Sequence, residues 1–284
     1  MVFPLYFWLL FAAAMLISSI GFKKYVWFIS LGYGFSIAGE GLLMAILYGK
    51  TLTAGTLVCC LLFILYGCRL GGYLAVREFK SASYNKNMTG EIKTDVPFGV
   101  KIAIWVTCAV LYVLQVLPVF YRLHNGSGTT LWTWIGAAVM LFGIVFESAA
   151  DIQKNAAKKI NPKRFVDTGL YRIVRCPNYL GEMIFWTGVL LSGIGSLTGA
   201  GQWIMALIGY LGIIFVMFSG ARRLEIRQNK NYGKDPEYQK YVRSVPISQP
   251  LPGRYRMSVF TLCVQLLILA VGSREYLETL FDAP

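Results

Sequence analysis

Charge is scarce in this 284-residue chain: Asp, Glu, Lys and Arg make up only 14% of it, against about 25% in a soluble globular domain. Histidine occurs once, at His124, which excludes a histidine-centred metal site or catalytic triad. The six cysteines (Cys59, Cys60, Cys68, Cys108, Cys176 and Cys263) lie mostly within apolar runs and show no CxxC spacing. They read as small hydrophobes rather than as bridges or metal ligands. Neither GxGxxG nor GxxxxGK[ST] occurs, so a Gly-rich soluble nucleotide fold is excluded. No period of 20–50 residues repeats and no stretch is of low complexity, which removes solenoid and disordered classes.

What the chain has instead is apolar surface: 56% hydrophobic and 15% aromatic residues. A membrane helix needs roughly 20 mostly apolar residues. Seven such runs occur, near 2–20, 26–48, 52–76, 99–121, 130–150, 179–198 and 203–221. The expected fold is all-α, a polytopic integral membrane bundle of seven transmembrane helices. A further hydrophobic stretch at 257–272 either spans or lies on the surface. Met1 to Ile20 has no basic leader and no small-residue cleavage site, so it reads as a retained first span.

The net charge is nevertheless +13, from 27 Lys and Arg against 14 Asp and Glu. Placed on the seven-span map, the basic residues fall almost wholly on one side: two at Lys23 and Lys24, six from Arg69 to Lys101, seven from Lys154 to Arg175 and nine from Arg222 to Arg256. The other side holds only Lys50 and Arg122, with Arg274 depending on the last segment. By the positive-inside rule the N-terminus is outside and the basic loops face the cytosol. Attraction to anionic lipid headgroups is the plain reading of any single one of these charges. Nucleic acid is not an expected partner, because the charges hug the spans.

Ionisable groups within spans cost at least ~2.5–3.5 kcal/mol each on insertion scales, so each is a functional candidate. Glu40, in SIAGEGLLM, is the clearest; Tyr66 and Arg69, in LLFILYGCRLGGY, come next. Glu40 and Tyr66 fall in the middle of adjacent antiparallel spans and can meet at one depth. A protonated acid beside a phenol in low dielectric is a donor pair for a ligand carbonyl. A structural hydrogen bond to a neighbouring helix is the plain alternative for Glu40.

Three further groupings lie at the basic side. In FESAADIQK, Glu147 and Asp151 share a helix face that continues through Lys154 and Lys158; a salt-bridged helix end is the plain alternative. In KRFVDTGLYRIVRCPNYLGEMIFW, Pro177 begins a span, Asn178 and Glu182 project one turn apart, and Arg164, Arg172 and Arg175 stand nearby. In ARRLEIRQNKNYGKDPEYQKYV, Arg222, Arg223 and Arg227 precede Tyr232, Tyr238 and Tyr241. Arginine with tyrosine suits a phosphate and a stacked adenine. Together these ask for a long, anionic, partly aromatic cofactor, with an apolar substrate entering from lipid.

The combination of YGCRLGGYL, FESAADIQK, GLYRIVRCPNYLGE and the basic, tyrosine-containing tail resembles the membrane-embedded steroid 5-alpha-reductase family, whose relatives include the sterol C14 reductases. The likeness covers Glu40 to Pro252. It implies one reductase-like domain over residues 1–252 with a hydrophobic extension over 253–284. It also implies NADPH at the cytosolic ends of the later spans and hydride transfer to an activated carbon–carbon double bond, as in a 3-oxo-Δ4 steroid. Carried over, Glu40 and Tyr66 would match the acid and phenol on the substrate carbonyl. Arg69, Asp151, Lys158, Arg164, Asn178, Glu182, Arg223, Arg227 and Tyr232 would match positions around the cofactor. The implied partners are a lipophilic enone and membrane lipids, and no metal. Where many bacterial relatives have His before Pro-Asn-Tyr, this chain has Cys176. The rival resemblance is to isoprenylcysteine and phospholipid methyltransferases, which bind S-adenosylmethionine beside a similar R-x-P-x-Y-x-G pattern. The intramembrane Glu40, Tyr66 and Arg69 and the FESAADIQK helix have no evident use in methyl transfer.

Overall fold

A computed structural model describes residues 2–80 and 96–247. The 257–272 stretch, Cys263 and the expected boundary after residue 252 lie outside these residues. The elements are α1 (Leu5–Ser18), two 3-10 turns (Ser19–Phe22 and Tyr25–Phe28), α2 (Leu31–Leu47), α3 (Ala54–Lys80), α4 (Phe98–His124), α5 (Leu131–Ile160), a 3-10 turn (Gly169–Arg172), α6 (Pro177–Gly193), α7 (Gly199–Tyr232) and α8 (Pro236–Ser244). Six stretches, Leu5–Phe22, Tyr25–Leu47, Ala54–Phe79, Phe98–His124, Leu131–Ile160 and Gly199–Tyr232, are long and apolar enough to cross a membrane. The chain is a polytopic helical membrane bundle. The seventh expected span is α6, which at 17 residues is shorter, about 25 Å by the usual rise per residue.

Hydropathy marks where lipid ends, and several helices run on past it. The run expected to stop at 150 continues to Ile160, and the one expected to stop at 221 continues to Tyr232. In both, polar residues beyond the apolar part find partners at the basic end of the bundle. The expected 26–48 run is interrupted: Ser30 adopts φ −119° and ψ −86°, and regular α-helix begins only at Leu31.

Helix ends follow local chemistry. Thr130 and Thr133 form a reciprocal capping box at α5. Proline stands in the first turn of α6 and α8, where its missing N–H costs nothing. Arg122, wholly buried in α4, closes α6: its guanidinium donates to the carbonyls of Ser192 (2.6 Å), Ile194 (2.7 Å) and Gly128 (2.8 Å). Two of these oxygens belong to the helix end, which otherwise leaves its last carbonyls unpaired.

Every residue of α4 from Tyr112 to Leu123 is buried, so this helix forms the centre. Around it, helices approach through small residues, the usual way to gain contact where lipid removes the hydrophobic drive. A Cβ on Gly34 would lie 2.6 Å from the Gly71 nitrogen, and one on Gly41 would lie 2.9 Å from the Cys60 carbonyl. The α2–α3 pair is therefore antiparallel, with Glu40 within about one turn of the level of Tyr66. Trp8, Leu42, Leu61, Phe142, Val145 and Ile208 are exposed on the outside, as a lipid-facing surface requires.

Candidate functional site

The polar core is built where α2, α3, α5 and α6 converge. Tyr33 of α2 is its centre: its hydroxyl donates to Glu182 Oε1 (2.7 Å), receives Trp186 Nε1–H (2.8 Å) and lies 3.2 Å from the Tyr66 hydroxyl. The Tyr66 ring stacks on Phe185, centroids 3.9 Å apart and planes 10° apart. Tyr66 is wholly buried and Glu182 is 6% exposed. Four residues from three helices, α2, α3 and α6, thus meet in one hydrogen-bonded knot.

Glu147 of α5 lies within electrostatic reach of Glu182. Its other neighbour is Arg69 of α3, whose guanidinium bridges Glu147 through Nη1 and Asp151 through Nη2. The stripe expected along α5 is real, and its acids turn across to α3 rather than along their own helix. Beyond Asp151, Lys154 stands within reach of Asp151, Arg77 and Arg227. A ladder of charge therefore runs from the knot to the basic end: Glu182, Glu147, Arg69, Asp151, then the cations.

Glu40 is not in this knot. Its carboxyl is fully buried, and neither oxygen has a hydrogen-bond partner among the described residues. It shares the level of Tyr66 without bonding to it. Tyr112 of α4 lies within electrostatic reach of it, and the Tyr112 hydroxyl donates to the Phe28 carbonyl at 2.6 Å. An unpartnered carboxyl in a membrane interior is the costliest polar group a bundle can hold.

The remaining expected site residues gather at the basic end. Lys158 donates to the carbonyls of Arg164 (2.5 Å) and Pro162 (3.2 Å) and to the Tyr232 hydroxyl (2.9 Å). Arg164 pairs with Glu237 (2.5 Å) and Asp167 (3.0 Å). These side chains surround a small aromatic core of Phe165, Tyr238 and Tyr241. Arg223 and Arg227 are exposed on the tail of α7. Asn178, in the first turn of α6, has a buried Oδ1 with no partner among the described residues.

The segment carrying Asn178 is held from both sides. Tyr241 donates to the Tyr171 carbonyl (2.7 Å), Arg175 pairs with Glu225 (2.5 Å), and the Arg175 and Cys176 amides donate to the Pro246 and Ile247 carbonyls, each at 2.8 Å. Burial pushes the Cys176 thiol up to about 12, against the opposing pull of Arg175 and Lys154. Burial likewise raises the Tyr171 and Tyr241 phenols above their ordinary range.

The residue sequence reasoning missed is Tyr33. A tyrosine in an apolar run looks like any packed aromatic, and the available signal was its place two turns before Glu40 on the same helix. Trp186 and Lys154 were equally silent as to their partners.

Fold and site define a helical membrane protein with a buried, charged core opening toward a cationic end. The chain belongs to the family described as Protein of unknown function (DUF1295), whose model matches residues 16–245. An uncharacterised protein of Schizosaccharomyces pombe is 29% identical over 130 residues, 39% of this chain. The aligned part is 36% of that relative's own length, so this chain spans about a third of it. No solved structure matches the chain.

Proposed function

We propose that the protein is a membrane-embedded oxidoreductase that adds hydride from NADPH to the activated double bond of a lipophilic enone, such as a 3-oxo-Δ4 steroid. The observation that carries this reading is Glu40, a buried carboxyl at the level of Tyr66 with both oxygens unpartnered among the described residues. A bundle retains such a group only where it has a use, and a substrate carbonyl supplies the missing partner. The resemblance of the YGCRLGGYL, FESAADIQK and GLYRIVRCPNYLGE segments to the steroid 5-alpha-reductases supports the same reading.

The residues suit a dinucleotide. Lys154 lies within electrostatic reach of Arg77, Arg227 and Asp151, a concentration of positive charge that suits a pyrophosphate. The unpartnered Oδ1 of Asn178 offers an acceptor to a carboxamide N–H. Arg69, Asp151, Lys158, Arg164, Glu182, Arg223 and Tyr232 would complete the surroundings, and the exposed arginines favour the 2′-phosphate of NADPH over NADH. When bound, the cofactor supplies the hydride. Glu40, protonated, and Tyr66 hold the carbonyl oxygen and stabilise the negative charge that develops there, in a site from which lipid excludes water. Substrate enters from the bilayer, and in this reading the N-terminus is outside and the cationic end is cytosolic.

The test is thermal stability of detergent-purified protein with NADPH, NADH and S-adenosylmethionine in parallel, followed by NADPH oxidation with progesterone. A ligand at ~100 times its Kd should stabilise by roughly 2.7 kcal/mol. A shift with NADPH and turnover with the enone support the reading. A shift with S-adenosylmethionine alone replaces it with methyl transfer.

A further inference from the structure

Donor counting around the Tyr33 hydroxyl reveals two complete arrangements of the same atoms. A phenol has one hydrogen to give and two lone pairs. Trp186 Nε1–H is a donor only and takes one lone pair of Tyr33. One lone pair and one hydrogen remain for two neighbours, Glu182 and Tyr66. With Glu182 ionised, Tyr33 donates to it, and Tyr66 donates to Tyr33 or to Glu182 itself; either way the Tyr66 hydrogen points inward. With Glu182 protonated, Glu182 donates to Tyr33, Tyr33 donates to Tyr66, and the Tyr66 hydrogen is free for a ligand. Between the two, Glu182 gains one proton and O–H bonds rotate, while stacking on Phe185 holds the Tyr66 ring.

We propose that Tyr33 is a proton-relay residue, joining the Glu182 carboxyl to the Tyr66 hydroxyl so that the proton Tyr66 gives to substrate is replaced from Glu182. This rests on the enone-reductase reading and supplies the proton that reading needs. Once hydride from the nicotinamide dinucleotide has reached the β-carbon, an enolate remains. The Tyr66 O–H breaks as its proton bonds to the enolate oxygen that it holds; the Tyr33 O–H breaks as a new O–H forms on Tyr66; the Glu182 O–H breaks as one forms on Tyr33. The products are the enol, which tautomerises to the saturated ketone, and a Glu182 carboxylate, which takes up one proton to complete the cycle. Of the two links, Tyr33–Tyr66 at 3.2 Å is longer than Tyr33–Glu182 at 2.7 Å. It is the one that loosens when Tyr66 turns to substrate.

The surroundings of Glu182 suit a group that changes charge. It faces Tyr33 from α2, Tyr66 and Arg69 from α3, Glu147 from α5, and Trp186 and Tyr179 from its own helix. Tyr179 in turn faces Arg223 and Arg227 of α7. From α4 the approach is made by Tyr112, whose ring packs 5.3 Å from that of Tyr33. Arg69 is present to balance the carboxylate left after a turnover, and Glu147 disfavours holding it permanently.

The test needs two readouts. In nanodiscs without substrate, infrared difference spectra against pH should show a tyrosine C–O–H band moving as the Glu182 carboxyl titrates. Tyr33→Phe should abolish that movement while the carboxyl still titrates. Glu182→Gln should make the band independent of pH, which keeps the test alive if Tyr33→Phe fails to fold. With NADPH and progesterone, Tyr33→Phe should lower kcat at least ten-fold, leave the KM for NADPH within two-fold, and remove the limb of the pH profile set by Glu182. Tyr66 and Glu182 also approach each other directly. If the band still follows pH in Tyr33→Phe or in Glu182→Gln, or if kcat is unchanged in Tyr33→Phe, the relay is overturned. A wild-type band that follows pH in a protein that reduces no enone would uphold the hydrogen-bond relay and sink the reductase reading instead.

Discussion

Gly143 of α5 and Gly181 of α6 touch through their backbones. A Cβ on Gly143 would stand 2.7 Å from the Gly181 carbonyl oxygen, and one on Gly181 would stand 2.7 Å from the Glu147 nitrogen. Gly136 and Gly188 repeat the contact seven residues away on each helix. This approach is what brings Glu147 and Glu182 into one electrostatic field.

Alanine at either glycine must therefore push the helices apart. Gly143→Ala or Gly181→Ala should destabilise by about 1–3 kcal/mol, the usual cost of overpacking. Gly72→Ala is the control, since a Cβ there meets nothing within 4 Å, and better helix propensity should leave its Tm equal or higher. Melting of the three variants in one detergent decides the matter; equal Tm values would mean the α5–α6 contact is not tight.

Arg69 holds two acids at once. Removing it as Arg69→Met leaves Glu147 buried without its cation beside Glu182, and leaves Asp151 to Lys154 and Arg77. Breaking a buried ionic cluster by deleting one partner costs about 3–5 kcal/mol. Glu147→Gln should cost less, because Asp151 still answers the guanidinium. Adding Glu147→Gln and Asp151→Asn to Arg69→Met should restore part of the loss, and a double-mutant cycle on Tm measures the coupling.

How far the sequence carried the fold and the site depends on the range of each interaction. Membrane spans follow from local hydropathy, so the bundle was legible, and so was Glu40, an acid with no charge near it. Partners chosen across the bundle were not. Glu147 and Asp151 looked poised to pair with Lys154 and Lys158 on their own helix. Lys158 instead ties down the 162–164 loop and Tyr232, and the acids cross to Arg69. Tyr66 looked like the partner of Glu40, yet its hydroxyl lies against Tyr33. Equal depth was readable from antiparallel spans, whereas the direction of a side chain around the helix axis depends on which glycine faces which neighbour.

Cys176 occupies a position where an imidazole would titrate near neutrality, and its thiol does not. With burial holding it up at about 12, roughly one molecule in ten thousand carries a thiolate at pH 8. Maleimide should leave it unmodified in the folded protein. The unfolded thiol ionises near about 8.5, so the folded state is disfavoured as pH climbs from there toward 12, and no effect is expected below. The Tm of wild type should fall more steeply between pH 8.5 and 11 than that of Cys176→Ala. Parallel slopes, or rapid alkylation at pH 8, would contradict the burial.

Glu40 separates stability from function. A carboxyl buried with no partner is a standing cost, and replacing it by an apolar group of similar size removes that cost. Glu40→Leu should therefore raise the stability of ligand-free protein by about 1–3 kcal/mol, and Glu40→Gln should give no such gain, since an unpaired amide is no cheaper to bury than a protonated acid. Neither change touches the cationic end, so stabilisation by NADPH should persist in both. Turnover of an enone should fall at least ten-fold in both, because Gln cannot deliver an acidic proton to the carbonyl and Leu cannot donate at all. A variant that loses stability would mean Glu40 has a structural partner after all. One that gains stability and keeps full turnover would remove Glu40 from the chemistry while leaving the fold as described.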